Sequence, residues 1–319
     1  MRLPGKVAAS VGLLCALASV ALGATPTLMY PYSAGTGTTL AETSAGTAAN
    51  ATITPGASGA WDTSLGANKT GYNFAGTATS VTGSLSGTKV QTALAGSTHV
   101  TLEIVLDSAG STSTYDGYFK LADGSDTGFV GLTINHAQGG IIFSAGEGAS
   151  PNNCSIKYAI PTSGVLVLHI VIDTAQATAA NRVLVFVNGS SVTPTILTQI
   201  GLNVALDTAL NWSTAVLKMG ESGASPNGKT YFVALYASAL SSGVVAAHAT
   251  SLAANNDADP NGTAATLDGF MFAQDWNWSP PRCVVSQTGL RWPVEVDDSP
   301  LLRMALPQAL ATGMVECAL

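Results

Sequence analysis

His99-Val-Thr-Leu-Glu-Ile-Val-Leu-Asp107 alternates cleanly: Val100, Leu102, Ile104 and Leu106 fall on one side of an extended chain, and Thr101, Glu103, Val105 and Asp107 on the other. A period of two predicts a strand with one buried face and one largely wet face. The same texture continues outward. Tyr115–Leu121 and Gly128–Ile134 flank Ala122-Asp-Gly-Ser-Asp-Thr127, whose Asp-Gly step signals a hairpin. Ile156–Ile160 is a further short strand. Val165–Asp173 and Arg182–Val187 are rich in β-branched residues, and the second runs into Asn188-Gly189, the strongest short hairpin signal. Ala215–Met219 and Thr230–Tyr236 complete the series. Many short strands between turn signals predict an all-β, two-sheet antiparallel sandwich rather than βαβ units.

One stretch reads as helix. In Ser241–Ala254 the serines can cap, the interior is alanine-rich, and Val245, His248 and Leu252 share a face. A short helix is therefore expected directly after the last sandwich strand.

The composition narrows the function classes. Of 319 residues 46% are hydrophobic and only 10% charged, against roughly 25% charged in ordinary soluble domains. Ser, Thr, Asn, Gly and Ala must fill the surface. The net charge is −7, and the 12 basic residues form no cluster. A nucleic-acid partner needs such a cluster to displace counterions from phosphates, and an anionic membrane surface attracts chains by the same means. Neither partner is expected.

Residues 1–23 read as an export signal. Arg2 and Lys6 precede the apolar run Val7–Leu22, and Ala21-Leu22-Gly23 offers the small–x–small pattern for cleavage after Gly23. The alternative, an uncleaved anchor, needs about 20 apolar residues to span a bilayer, and the run falls just short. The expected location is secreted or cell-surface, with the periplasm also open. Residues 24–256 then form the sandwich. Residues 257–319 differ in texture, with Trp276, Trp278, Trp292, Pro280, Pro281 and three arginines but no lysine, and are treated as a C-terminal appendage. Beyond the signal there are three cysteines, Cys154, Cys283 and Cys317, without metal-site spacing. One disulfide, most simply Cys283–Cys317, with a spare thiol is one arrangement; three unpaired thiols is the other.

Four blocks, in order, resemble bacterial laminin-G-like domains of the concanavalin A-like jelly-roll class. They are Leu28–Ser33 with Gly35–Thr39 and Glu42–Gly46; Trp61–Gly66 with Gly71–Gly76; Leu168–Asp173 through Arg182–Gly189; and Lys218–Gly220 with Tyr231–Ser241. The resemblance covers roughly three-quarters of the chain and implies a jelly-roll sandwich. It implies less about function, because this fold hosts lectins, adhesion modules, glycan hydrolases and virion decorations. Members with a calcium site often carry Asp where this chain has Glu42, and an acidic pair where it has Val233-Ala234. Calcium, if held, falls to Glu42; no other cofactor is expected.

Glycan-cleaving relatives need paired carboxylates on one strand face, and no Glu-x-Asp-x-x-Glu motif is present. Glu103 and Asp107 share a face with Val105 between them, and read as exposed strand charges. His99, His136, His169 and His248 are dispersed, with His169 assigned to packing. No nucleophile elbow or phosphate loop occurs. Binding chemistry is better represented. Trp276 and Trp278 share one face if extended, and Trp61 adds a third indole on which a sugar could stack. The expected function is a non-catalytic module that recognises a glycan or another extracellular surface. A self-associating coat, matrix or virion-type protein is the alternative, and a divergent glycan hydrolase or lyase the third.

Overall fold

The computed structural model describes residues 25–64, 69–76, 78–108, 116–123, 128–135, 139–146, 150–159, 164–208, 210–220 and 226–255, together with the backbone of 282–287, 301–303 and 313–318. Among these residues two antiparallel sheets face each other. The first runs, in spatial order, Ser190–Val192, Val183–Val187, Val165–Asp173, His99–Asp107, Lys229–Tyr236, Gly71–Asn73 and Ala60–Asp62, with Leu28–Tyr30 also paired to Lys229–Tyr236. The second runs Thr195–Thr198, Asn153–Tyr158, Gly140–Gly146, Gly128–Asn135, Asp116–Ala122, Val216–Met219, Ser80–Ser84, Ala51–Thr54 and Thr39–Leu40. This is the expected all-β jelly-roll sandwich. Val165–Asp173 falls where its pattern placed it. The strand expected at 156–160 lies instead at Asn153–Tyr158, because the chain extends as far as its neighbour Gly140–Gly146 offers a partner.

The core follows from alternation. Val100, Leu102, Ile104 and Leu106 point inward with Leu168, Ile170, Val233 and Leu235, and meet Phe119, Leu121, Leu132 and Phe143 of the second sheet. Between Val183–Val187 and Ser190–Val192, Asn188 and Gly189 both adopt positive φ, 52° and 79°. That is the two-residue turn whose twist matches paired strands.

The outer face of the first sheet departs from expectation. Thr101, Glu103 and Val105 were read as wet, yet all three are buried. The cover is a helix, α2, at Ser242–Ala254, which buries Val245, His248, Ala249 and Leu252 against the sheet. Those positions recur at helical spacing, so one stripe of the helix is apolar. Ser241 caps it, its hydroxyl accepting from the Val244 amide. A side chain at Gly189 would meet Ala246 and Ala249 at 3.2 Å, so glycine at the turn eases the close approach of the hairpin to α2. Sequence reading did not anticipate a six-residue helix, α1, at Lys89–Leu94, whose Val90 and Leu94 are buried in the core.

In the tail, Arg282–Gln287, Gly313–Ala318 and Leu301–Arg303 form a three-stranded antiparallel sheet. Its register sets Cys283 opposite Cys317. Trp276 and Trp278, and the segment 1–23, lie outside the described residues. Among the described residues, no helix is long and apolar enough to cross a membrane.

Candidate functional site

The chain's most unusual chemistry sits between the first sheet and α2. Glu103, on the central strand, is fully buried. Its direct cross-strand neighbour is His169, whose Nε2 lies 2.7 Å from Glu103 Oε2. His248, on the buried stripe of α2, brings Nδ1 to 2.7 Å from the same oxygen. The Tyr236 hydroxyl donates to Glu103 Oε1 at 3.0 Å and lies 3.5 Å from His248 Nδ1. Burial drives the Glu103 carboxyl upward, but the hydrogen bonds and charges of His169 and His248 outweigh it and hold the group at about 2. The outward nitrogens, His169 Nδ1 and His248 Nε2, are buried without a hydrogen-bond partner among the described residues. The surrounding side chains, Val105, Val167, Val171, Phe186, Val245 and Leu252, are apolar.

This cluster corrects two sequence readings. Glu103 is not an exposed strand charge, and His169 is not merely packed. Asp107 does share its face, but half-exposed at the strand end. A signal existed: an acid on the central strand and a histidine inside the apolar stripe of α2 are both out of place unless they meet. Strand alternation alone could not pair residues separated by 145 positions.

Beside the cluster the same face opens into a cavity of about 360 Å³, lined by Val105, Val165, Val167, Asn188, Leu252 and Tyr231 among others. Next to it, Asp62 accepts from the Tyr231 hydroxyl at 3.2 Å and pairs with Lys229 at 2.7 Å.

Glu42, expected to hold calcium if any residue did, is committed elsewhere. Oε1 accepts the amides of Met29 at 3.0 Å and Ser44 at 2.8 Å, and also the Ser44 hydroxyl. Oε2 meets the Lys89 ammonium at 2.5 Å. That ammonium also donates to the carbonyls of Ser44 and Ala45 at 2.8 and 3.0 Å. Three oxygens thus converge on a positive charge supplied by the chain itself, from the unanticipated α1. A calcium ion needs six or more oxygens, usually with several carboxylates, and Glu42 is not presented to one.

Trp61 stands on the edge strand Ala60–Asp62. Its indole N–H donates to the Gly37 carbonyl at 2.8 Å. The ring meets Tyr72 edge-on at a centroid distance of 5.4 Å and Tyr32 at 6.2 Å. It is half-buried, and the neighbouring Thr36, Gly37, Thr38, Thr63 and Ser64 are exposed. Trp212 is similarly held, donating to Asp207 at 2.8 Å and packing on Phe129. Cys154 is a free, buried thiol, pushed by desolvation up to about 12.

No family model and no curated protein matches the chain. Solved structures do. The binding domain of botulinum neurotoxin DC, in complex with rat synaptotagmin II, is 12% identical, with a TM-score of 0.51, over 72% of this chain and 52% of that one. A botulinum neurotoxin type C structure, from a toxin that depends on two ganglioside molecules to enter cells, is 10% identical with a TM-score of 0.50, over 72% and 51%. Trypanosoma rangeli sialidase is 11% identical with a TM-score of 0.47, over 71% of this chain and 32% of its own. The chain therefore spans about half of the toxin domains and a third of the sialidase. At these identities the toxin likenesses define a class of fold alone, the two-sheet antiparallel β-sandwich.

Proposed function

We propose that this chain is an exported, non-catalytic binding module of the laminin-G-like kind, and that it recognises a glycan or another extracellular surface through the edge bearing Trp61. The observation that carries this reading is the Trp61 indole itself. It is fixed by its own N–H bond and by two edge-on aromatic contacts, yet it remains half-exposed among threonine, serine and glycine. A ring held in place loses little entropy on binding, and hydroxyls and amides around it suit a sugar's C–H face and rim. The toxin domains of like fold, one bound to synaptotagmin and one from a ganglioside-dependent toxin, make such partners a reasonable class. A non-catalytic role is supported by Glu103, the one acid at the middle of the central strand, which lies fully buried beneath α2. Asp107, four residues along the strand, lies ~13 Å away, beyond the roughly 5–9.5 Å between paired glycosidase carboxylates.

A second reading, self-association, is favoured by the edge strand Thr195–Thr198. It pairs on one side only among the described residues, and Ile196 and Leu197 are 44% and 49% exposed. Such an edge is a template for another copy. One experiment addresses both. Mature chain is screened on a glycan array, and a hit is titrated by calorimetry alongside light scattering across concentration. Binding by a monomer, lost in Trp61→Ala but kept in Trp61→Phe with unchanged circular dichroism, supports the module. Assembly that ignores every glycan and disappears in Ile196→Lys replaces it with the structural reading.

A further inference from the structure

We infer that Glu103, His169 and His248 form a binding site for a divalent transition metal, best matched by zinc, which clips α2 to the first sheet. Three ligand atoms, Glu103 Oε2, His169 Nε2 and His248 Nδ1, lie within 4.8 Å of one another, and all three residues are buried. They come from two neighbouring strands and a helix, so the convergence is tertiary and not an accident of local sequence. Two imidazoles with one carboxylate is a donor set that zinc favours, and calcium and magnesium, which take oxygen ligands, do not. The Tyr236 hydroxyl supplies both a fourth donor atom beside His248 and a hydrogen bond to the far carboxylate oxygen, the kind of outer contact that orients a ligating carboxylate.

The surroundings favour an ion over bare hydrogen bonds. This chain has only four histidines and a charged fraction of 10%, yet half of the histidines and one acid meet at a single point in an otherwise apolar layer. Taking a carboxylate out of water is costly unless strong partners compensate, and a divalent cation is the strongest available. The His248 ligand also gives the metal a structural effect. Until α2 docks, the site lacks one of its ligands, so metal capture and helix docking occur together.

The test uses the full chain, stripped of metal with a chelator and then titrated with zinc chloride alone. We expect one zinc per chain retained after desalting, by elemental analysis. Cobalt substituted in its place should give the intense visible bands of a four-coordinate N/O site. Glu103→Gln and His248→Ala should each weaken zinc about a hundredfold, and Tyr236→Phe about tenfold, the range for loss of a ligand-orienting contact. His99→Ala, on the exposed end of its strand, should leave the affinity unchanged. Should a ligand variant fail to fold, the wild-type stoichiometry and cobalt spectrum decide alone. Failure of wild-type chain to retain zinc would overturn the assignment, as would zinc retained equally by folded Glu103→Gln.

Discussion

On the inner face of the first sheet, Leu102, Ile104, Leu168, Ile170 and Val233 meet apolar side chains of the second sheet. One residue away along the same strands, Glu103, His169 and Tyr236 turn outward and meet His248 of α2. Both faces are dry, but they are organised differently. The inner face asks for volume and hydrophobicity, and such cores tolerate conservative exchange of similar shapes. The outer face asks for one oxygen to receive two imidazoles, which fixes the position of α2 along the sheet in a way that methyl groups cannot. A sandwich layer sealed by a single helix, with few contacts to spare, has reason to use directional bonds.

The largest expected effect separates these two organisations. Glu103→Ala leaves the His169, His248 and Tyr236 groups buried without their shared acceptor, and should cost about 3–5 kcal/mol, as breaking one side of a buried polar cluster does. Ile104→Val, next to it but facing inward, should cost only about 0.5–1.5 kcal/mol. Urea unfolding of metal-free protein measures both. Equal losses would break the distinction and return the outer face to ordinary packing.

How much of this was legible in the sequence follows from the range of the interactions. The inner face was readable because alternation is local: Val100, Leu102, Ile104 and Leu106 declare a strand within nine residues. The same local rule misled on the outer face. Glu103 in a row with Thr101 and Asp107 looks solvated, and only the helix that carries His248, 145 residues later, makes it buried. Val245, His248 and Leu252 could be placed on one helical face, but nothing local says which surface that face meets. Glu42 misled for the converse reason: a family pattern marked its position, while Lys89, which satisfies it, comes from a helix of six residues, too short to leave a periodic signature. Trp61 was recognised as a candidate by chemistry, but its edge-strand placement depends on pairing with Gly71–Asn73.

A smaller effect tests whether the helix, rather than the sheet, limits the outer layer. Ser241→Ala removes the hydroxyl that accepts the Val244 amide and should cost about 1 kcal/mol. Hydrogen exchange should show the loss as faster exchange across Ser242–Ala254, while amides of His99–Asp107 keep their protection. Uniform acceleration over both elements would mean that α2 and the sheet open as one unit, sharpening the picture toward a clasp that couples them.

The smallest effect lies at the rim of the same face, where Asp62 pairs with Lys229. Desolvation pushes the Asp62 carboxyl upward, but the hydrogen bond and charge of Lys229 and the two hydrogen bonds of Ser64 prevail and lower it from 3.8 to about 2. The folded chain thus binds this proton less readily than the unfolded chain does. The resulting stabilisation is whole above about pH 4 and drains away as pH falls toward 2. Glu103, also held at about 2, loses its contribution in the same acid window, so wild-type acid unfolding reports both. Lys229→Met separates them, because it removes the partner of Asp62 and leaves the buried cluster alone. With the lysine 31% exposed, the pair is screened by water and should contribute less than about 1 kcal/mol at neutral pH. The variant should therefore differ slightly from wild type at pH 7 and converge with it near pH 2. A gap that persists unchanged at pH 2 would assign the role of Lys229 to its packed methylenes rather than to its charge.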